Sequence, residues 1–99
     1  MLTINKIQDG NKVIFELDGE LDTITSPDLD ANISELPDDI KELCLDFAKL
    51  SYISSAGLRV LLKTQQDTKE GNRFVIKNVD PIIMDIFEVT GFTDIMTIV

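Results

Sequence analysis

The chain has no histidine, one cysteine and only nine basic residues among its 99, against 18 acidic ones. Without histidine there is no imidazole to act as general base or zinc ligand, so Ser-His-Asp and Cys-His catalysis are excluded. One cysteine forms no internal disulfide, which fits a reducing compartment and predicts a cytoplasmic location. A net charge of −9 argues against docking on a phosphate backbone, so no direct nucleic-acid binding is expected. Apolar runs fall far short of the ~20 residues that span a bilayer, and no membrane insertion is expected. Residues 1–12 lack the apolar core of a secretion signal. Neither a GxxxxGK[ST] nor a GxGxxG pattern occurs, leaving nucleotide-binding fingerprints without support.

What is present suffices for one folded domain over residues 1–99: 43% of residues are apolar, and a chain of this length buries roughly 60–70% of its unfolded surface. The charge is uneven. Residues 1–47 carry 12 acids and three bases, whereas residues 48–99 carry six of each. Such polarity suits a protein partner with a basic patch, and it also favours solubility.

Residues 2–7 and 12–18 read as strands joined by turn chemistry at Asp9-Gly10-Asn11. Val13, Phe15 and Leu17 alternate with polar residues, so one face of the second strand is buried. Ser26-Pro27 reads as a helix start with Ser26 as the cap, followed by Leu29, Ile33 and Leu36 at helical spacing. Leu43-Cys44-Leu45 reads as a strand buried on both faces. After a short loop, Ser54-Ser55 open a second helix that runs to about Glu70, with Leu58, Leu61, Leu62 and Gln65 on one stripe and Gly71-Asn72 closing it. Residues 73–77 form a further strand. Asp80-Pro81 opens a third helix with Ile82, Ile83, Ile86 and Phe87 inward and Gly91 as its stop. Residues 92–99 supply a last strand or short turn. This alternation predicts an α/β fold: a mixed sheet of four to five strands with about three helices packed on it.

Glu16, Asp18, Glu20 and Asp22 recur at every second position, hence on one side of an extended segment. A calcium loop counted from Asp18 would need Gly and Glu where Thr23 and Leu29 stand, and fails. Glu16 and Glu20 read as a solvated strand face. Asp22 differs because it stands where a strand hands over to a helix, a place favoured by functional groups. Cys44 reads as a buried, inert thiol. At residues 54–57 the plain reading is a serine cap worth about 1 kcal/mol. Gly57 in the first turn costs up to about 1 kcal/mol relative to alanine, which implies close approach of another backbone or macromolecule. A phosphate on a serine here would add about −1.5 to −2 charges and accept from free backbone N–H groups without unfolding the domain. Arg59, one turn on from Ser55, is placed either to pair with it or to stand as a plain surface arginine.

The stretch LSYISSAGLRVLL (residues 50–62), with GELD at 19–22 and TGF at 90–92, resembles the STAS domain family, and within it the bacterial anti-sigma factor antagonists. The resemblance covers nearly the whole chain. It implies the STAS fold and a non-enzymatic partner switch that regulates transcription, as in stress responses. Unphosphorylated, such a protein binds an anti-sigma factor that is also a serine/threonine kinase of the GHKL type, freeing the sigma factor. Phosphorylation abolishes binding, and a metal-dependent PP2C-type phosphatase restores it. The phosphoserine falls on Ser55 and the turn aspartate on Asp22, which in the family lie close together. Ser54 stands where many members have aspartate, making it an alternative acceptor, and Ala56 stands where Ser or Thr is frequent. Many relatives continue beyond the position of Val99 into a further helix, so part of the outer layer is expected to be missing. The expected partner-facing patch is Asp22, Ser54, Ser55, Ala56 and Gly57, flanked by Ile53 and Arg59. No catalytic residue, metal or cofactor is expected. Two alternatives remain: a STAS accessory subunit of a lipid or anion transporter without phospho-regulation, and a small-molecule or nucleotide sensor.

Overall fold

A computed structural model describes all residues, Met1–Val99. The chain opens with a hairpin of β1 (Leu2–Asp9) and β2 (Lys12–Leu21), in which Asp9 pairs with Lys12 across Gly10-Asn11. Gly10, with φ +60°, supplies the left-handed residue that so tight a hairpin needs. Then follow α1 (Ser26–Ser34), β3 (Glu42–Ile53), α2 (Ser55–Asp67), β4 (Arg73–Lys77), α3 (Pro81–Thr90), a 3₁₀ turn (Phe92–Asp94) and β5 (Thr97–Ile98).

The five strands lie in chain order, β1 antiparallel to β2 and every later pair parallel. The expected mixed sheet with three α-helices is what forms. Parallel neighbours need crossover helices of one hand, and a strand order that always advances in one direction puts all three helices on one face. The core accords with this. One cluster of 16 buried residues joins Val13, Phe15 and Leu17 of β2 and Leu43, Leu45 and Phe47 of β3 to Leu29, Leu61, Ile83 and Phe87 of the three helices. Phe87 sits between Phe47 and Phe92, with ring centroids 6.3 and 6.0 Å away. Cys44, alternating with Leu43 and Leu45, points to the opposite face. It is nonetheless 3% exposed, and burial pushes its thiol pKa up, as an inert cysteine requires.

Several boundaries differ from the sequence reading, each for a local reason. β3 runs on to Ile53, so no loop precedes Ser54. Its 12 residues face the ten of β2 because the register shifts twice, between Glu16 and Asp18 and between Gly19 and Glu20 of β2. At the first shift the Asp46 carboxylate takes the Ala48 N–H at 3.0 Å, satisfying a donor that the ladder drops. β2 continues to Leu21 because Gly19, at φ +121°, lets the Met1 carbonyl approach to where a Cβ would stand. α2 ends at Asp67, and Gly71 (φ +88°) turns the chain into β4 instead of capping the helix. β4 and α3 begin and end as read; the Asp80 carboxylate caps Ile83 N–H at 2.8 Å, and Gly91 (φ +79°) is the left-handed stop. Ile82, expected inward, is 71% exposed, because the packed stripe of α3 passes through Ile83 and Phe87.

Candidate partner-binding site

The parallel strands β2 and β3 end side by side, with Leu21 opposite Ile53, and their pairing continues one step further in the bond from Ser54 N–H to the Leu21 carbonyl at 2.9 Å. That bond brings the two strand-to-helix junctions together and sets Asp22 next to Ser54. On the β3 side, Ser54 is the only residue between strand and helix. Its hydroxyl oxygen accepts from Gly57 N–H at a long 3.4 Å, and its carbonyl accepts from Leu58 N–H at 3.0 Å. Ser54 is half-buried; Ser55, the first helical residue, is exposed and its hydroxyl makes no hydrogen bond within the chain. Arg59 is exposed and folds back so that Nε donates to the Ser55 carbonyl at 3.5 Å.

Gly57 now has a cause. A Cβ on it would lie 2.8 Å from Ile53 Cγ1, 2.9 Å from Leu21 Cγ and 3.0 Å from the Leu21 carbonyl oxygen. The bare turn therefore lets α2 settle onto the ends of its own two strands; the close partner is intramolecular. This corrects the expected patch. Gly57 is buried and Ile53 is 3% exposed, so both shape the surface from beneath without presenting a side chain to it. Asp22, Ser54 and Ala56 are half-buried, and Ser55 and Arg59 are exposed.

The β2–α1 junction is closed on itself. Asp22 Oδ1 accepts from Ile24 N–H and Thr25 N–H, each at 2.9 Å. The Thr25 hydroxyl accepts from Asp22 N–H at 2.9 Å and donates to the Glu20 carbonyl at 2.7 Å. Ser26 donates both its N–H and its hydroxyl to the Asp22 carbonyl. Ser26 is thus not the cap expected from Ser26-Pro27: it is the first helical residue, 2% exposed, and Thr25 precedes it with helical dihedrals and no capping bond. The Thr25 N–H, opposed by partial desolvation and aided by Ile24 N–H and the Thr25 hydroxyl, holds the Asp22 carboxyl below its usual range. Thr25 was missed by the sequence reading; the Asp-x-x-Thr spacing, which lets a carboxylate cap the backbone two and three residues on, was the available signal.

The rest of the acidic ladder stays apart. Glu16, Asp18 and Glu20 are exposed; Glu16 accepts from Asn5 Nδ2 at 2.7 Å and Glu20 lies 3.8 Å from the N-terminal amine. No group of three or more acidic or thiol side chains is arranged to hold a metal ion. A cleft of about 270 Å³, with Asp30, Lys63, Thr64 and Arg73 among its lining residues, includes none of the site residues. No helix is long and apolar enough to cross a membrane.

A family model described as "STAS domain" matches residues 3–99. The chain belongs to the STAS family. BtrV of Bordetella bronchiseptica, described as an anti-sigma factor antagonist, is 32% identical over 98% of this chain and 84% of its own length. The anti-sigma-B factor antagonist of Bacillus subtilis strain 168 is 26% identical over 98% of this chain and 90% of its own. Among solved structures, an anti-sigma factor antagonist from Mycobacterium paratuberculosis superposes with a TM-score of 0.90 at 20% identity, covering 99% of this chain and 85% of that one. The Bacillus cell fate determinant SpoIIAA in its phosphorylated form gives 0.75 at 20% identity, covering 100% and 91%. These two likenesses speak to the fold. STAS antagonists are non-enzymatic regulators, and this STAS domain is not an enzyme.

Proposed function

We propose that this chain, as a single STAS domain acting in the cytoplasm, is an anti-sigma factor antagonist whose binding surface is Asp22, Ser54, Ser55, Ala56 and Arg59, with Ser55 as the regulatory phosphorylation site. The observation that carries the reading is the contrast between neighbouring hydroxyls: Ser55 is exposed with a free Oγ, while Ser54 is half-buried and spends its Oγ on the Gly57 N–H. A kinase must reach a free hydroxyl, and Ser55 offers one on a rigid helix start. Ser54 is the poorer acceptor, because using it would remove a cap.

Unphosphorylated, the domain binds an anti-sigma factor, a GHKL-type serine/threonine kinase, and releases the sigma factor. Phosphorylation places about two negative charges on the first turn of α2, beside an Asp22 carboxylate that its loop holds ionised. The helix-start N–H groups and Arg59 can carry the phosphate without unfolding. A partner would have to desolvate it, at a cost of roughly 2–5 kcal/mol when a buried interfacial charge is unpaired. A PP2C-type phosphatase resets the switch.

The test is a comparative pull-down from the native host lysate with wild type and Ser55→Asp as baits and identification by mass spectrometry. A GHKL-type kinase retained by wild type and lost with Ser55→Asp is the expected result. Its binding should weaken at least ~30-fold. Transporter subunits held equally by both baits, or equal kinase capture by both, would sink the mechanism.

A further inference from the structure

Resting on that reading, we propose that Ile24 is the apolar anchor of this surface, and that the anti-sigma factor receives it in an apolar pocket rimmed by lysine and arginine. Ile24 is 84% exposed, although it lies in a loop whose Thr25 and Ser26 are buried. Asp22 Oδ1 takes the N–H groups of Ile24 and Thr25, Thr25 ties the loop to the Glu20 carbonyl, and Ser26 ties it to the Asp22 carbonyl. The loop thus projects a single apolar side chain, itself β-branched, from a backbone tied by these hydrogen bonds. A stiff, pre-ordered apolar group gives up little entropy on binding, which is the physical profile of an interface anchor. Buried anchors inside a polar rim carry most of an interface's energy.

Charge decides the occupant. The Asp22 carboxylate accepts the Ile24 N–H, and Glu20 and Asp28 stand four residues before and after Ile24 in the chain, within the half that holds 12 acids and three bases. A second copy would bring the same acids against these and be repelled; a basic rim would be drawn in and would speed encounter.

The test uses the anti-sigma factor captured in the pull-down above, purified and titrated against wild type, Ile24→Ala and Ser55→Asp. Ile24→Ala should weaken binding at least ~10-fold while leaving the unfolding midpoint unchanged, since the side chain is already in water. The wild-type association rate should fall about tenfold or more between low and high salt. If Ile24→Ala binds within twofold of wild type while Ser55→Asp is lost, the anchor is wrong and the switch stands. An association rate indifferent to salt overturns the basic rim, and Ile24-dependent dimerisation in place of partner binding overturns the choice of occupant. Capture of no anti-sigma factor by wild type removes the reading and this inference together.

Discussion

Two strand-to-helix junctions meet at one end of the sheet, each with serine as the first helical residue, and they use it in opposite ways. At β2–α1, Ser26 is 2% exposed and bonded to Asp22, inside a loop that Asp22 and Thr25 close completely. At β3–α2, the connection is one residue long, Ser54 does the capping, and Ser55 is left exposed with nothing to bond. One junction is architecture and the other is access. Residue type and helix position are the same, so what separates a structural serine from an available one is whether the loop before it has enough residues to fold back over it.

Changes at these junctions should separate the two roles. The largest effect is expected from Gly57→Ala, whose methyl must displace Ile53, Leu21 or both; overpacking outweighs the helix propensity gained and costs about 2 kcal/mol in urea unfolding. A neutral Gly57→Ala would mean the two junctions are not held together as described. Next comes Asp22→Asn, read as stability against pH. The Asp22 pKa is lowered in the folded chain, so its contribution is present above the unfolded carboxylate value near ~4 and is lost as pH falls through the lower folded value. Wild type should therefore lose more stability than Asp22→Asn on acidification below about pH 5. Parallel acid limbs for the two would detach the carboxylate from the loop. Ser54→Ala should cost about 0.5–1 kcal/mol, at the low end for a cap because its bond is long. Ser55→Ala should stay within about 0.5 kcal/mol of wild type, yet remove phosphate incorporation by the captured kinase. A Ser55→Ala variant that is still labelled to wild-type level would move the acceptor to Ser54.

Much of this architecture is legible in residue order. Alternation in Val13–Leu17, the Asp80-Pro81 and Gly91 signals around α3, and the RFVIK run need only local geometry; all three elements form, β4 and α3 with the expected ends and β2 running three residues past its expected one. Exposure on α3 was harder: Ile82 and Ile83 are equally apolar, and only the direction in which the helix lies on the sheet picks Ile83 as the buried one. The length of β3 was hidden for a related reason. Its second half alternates poorly, because two register shifts against β2 interrupt the period that marks a strand.

The site divides the same way. Sequence alone excluded imidazole catalysis, implied through its resemblance to the STAS family that Asp22 and Ser55 lie close together, and showed that Gly57 required something close by. Only the tertiary structure decided that the close neighbour is the chain's own Leu21 and Ile53, that Ile53 and Gly57 are therefore buried, and that Ser55 and Ile24 are what reaches the surface. The reason is physical. Caps, turns and periods act over four residues or fewer, whereas exposure at this end is set by the register of two strands some thirty residues apart.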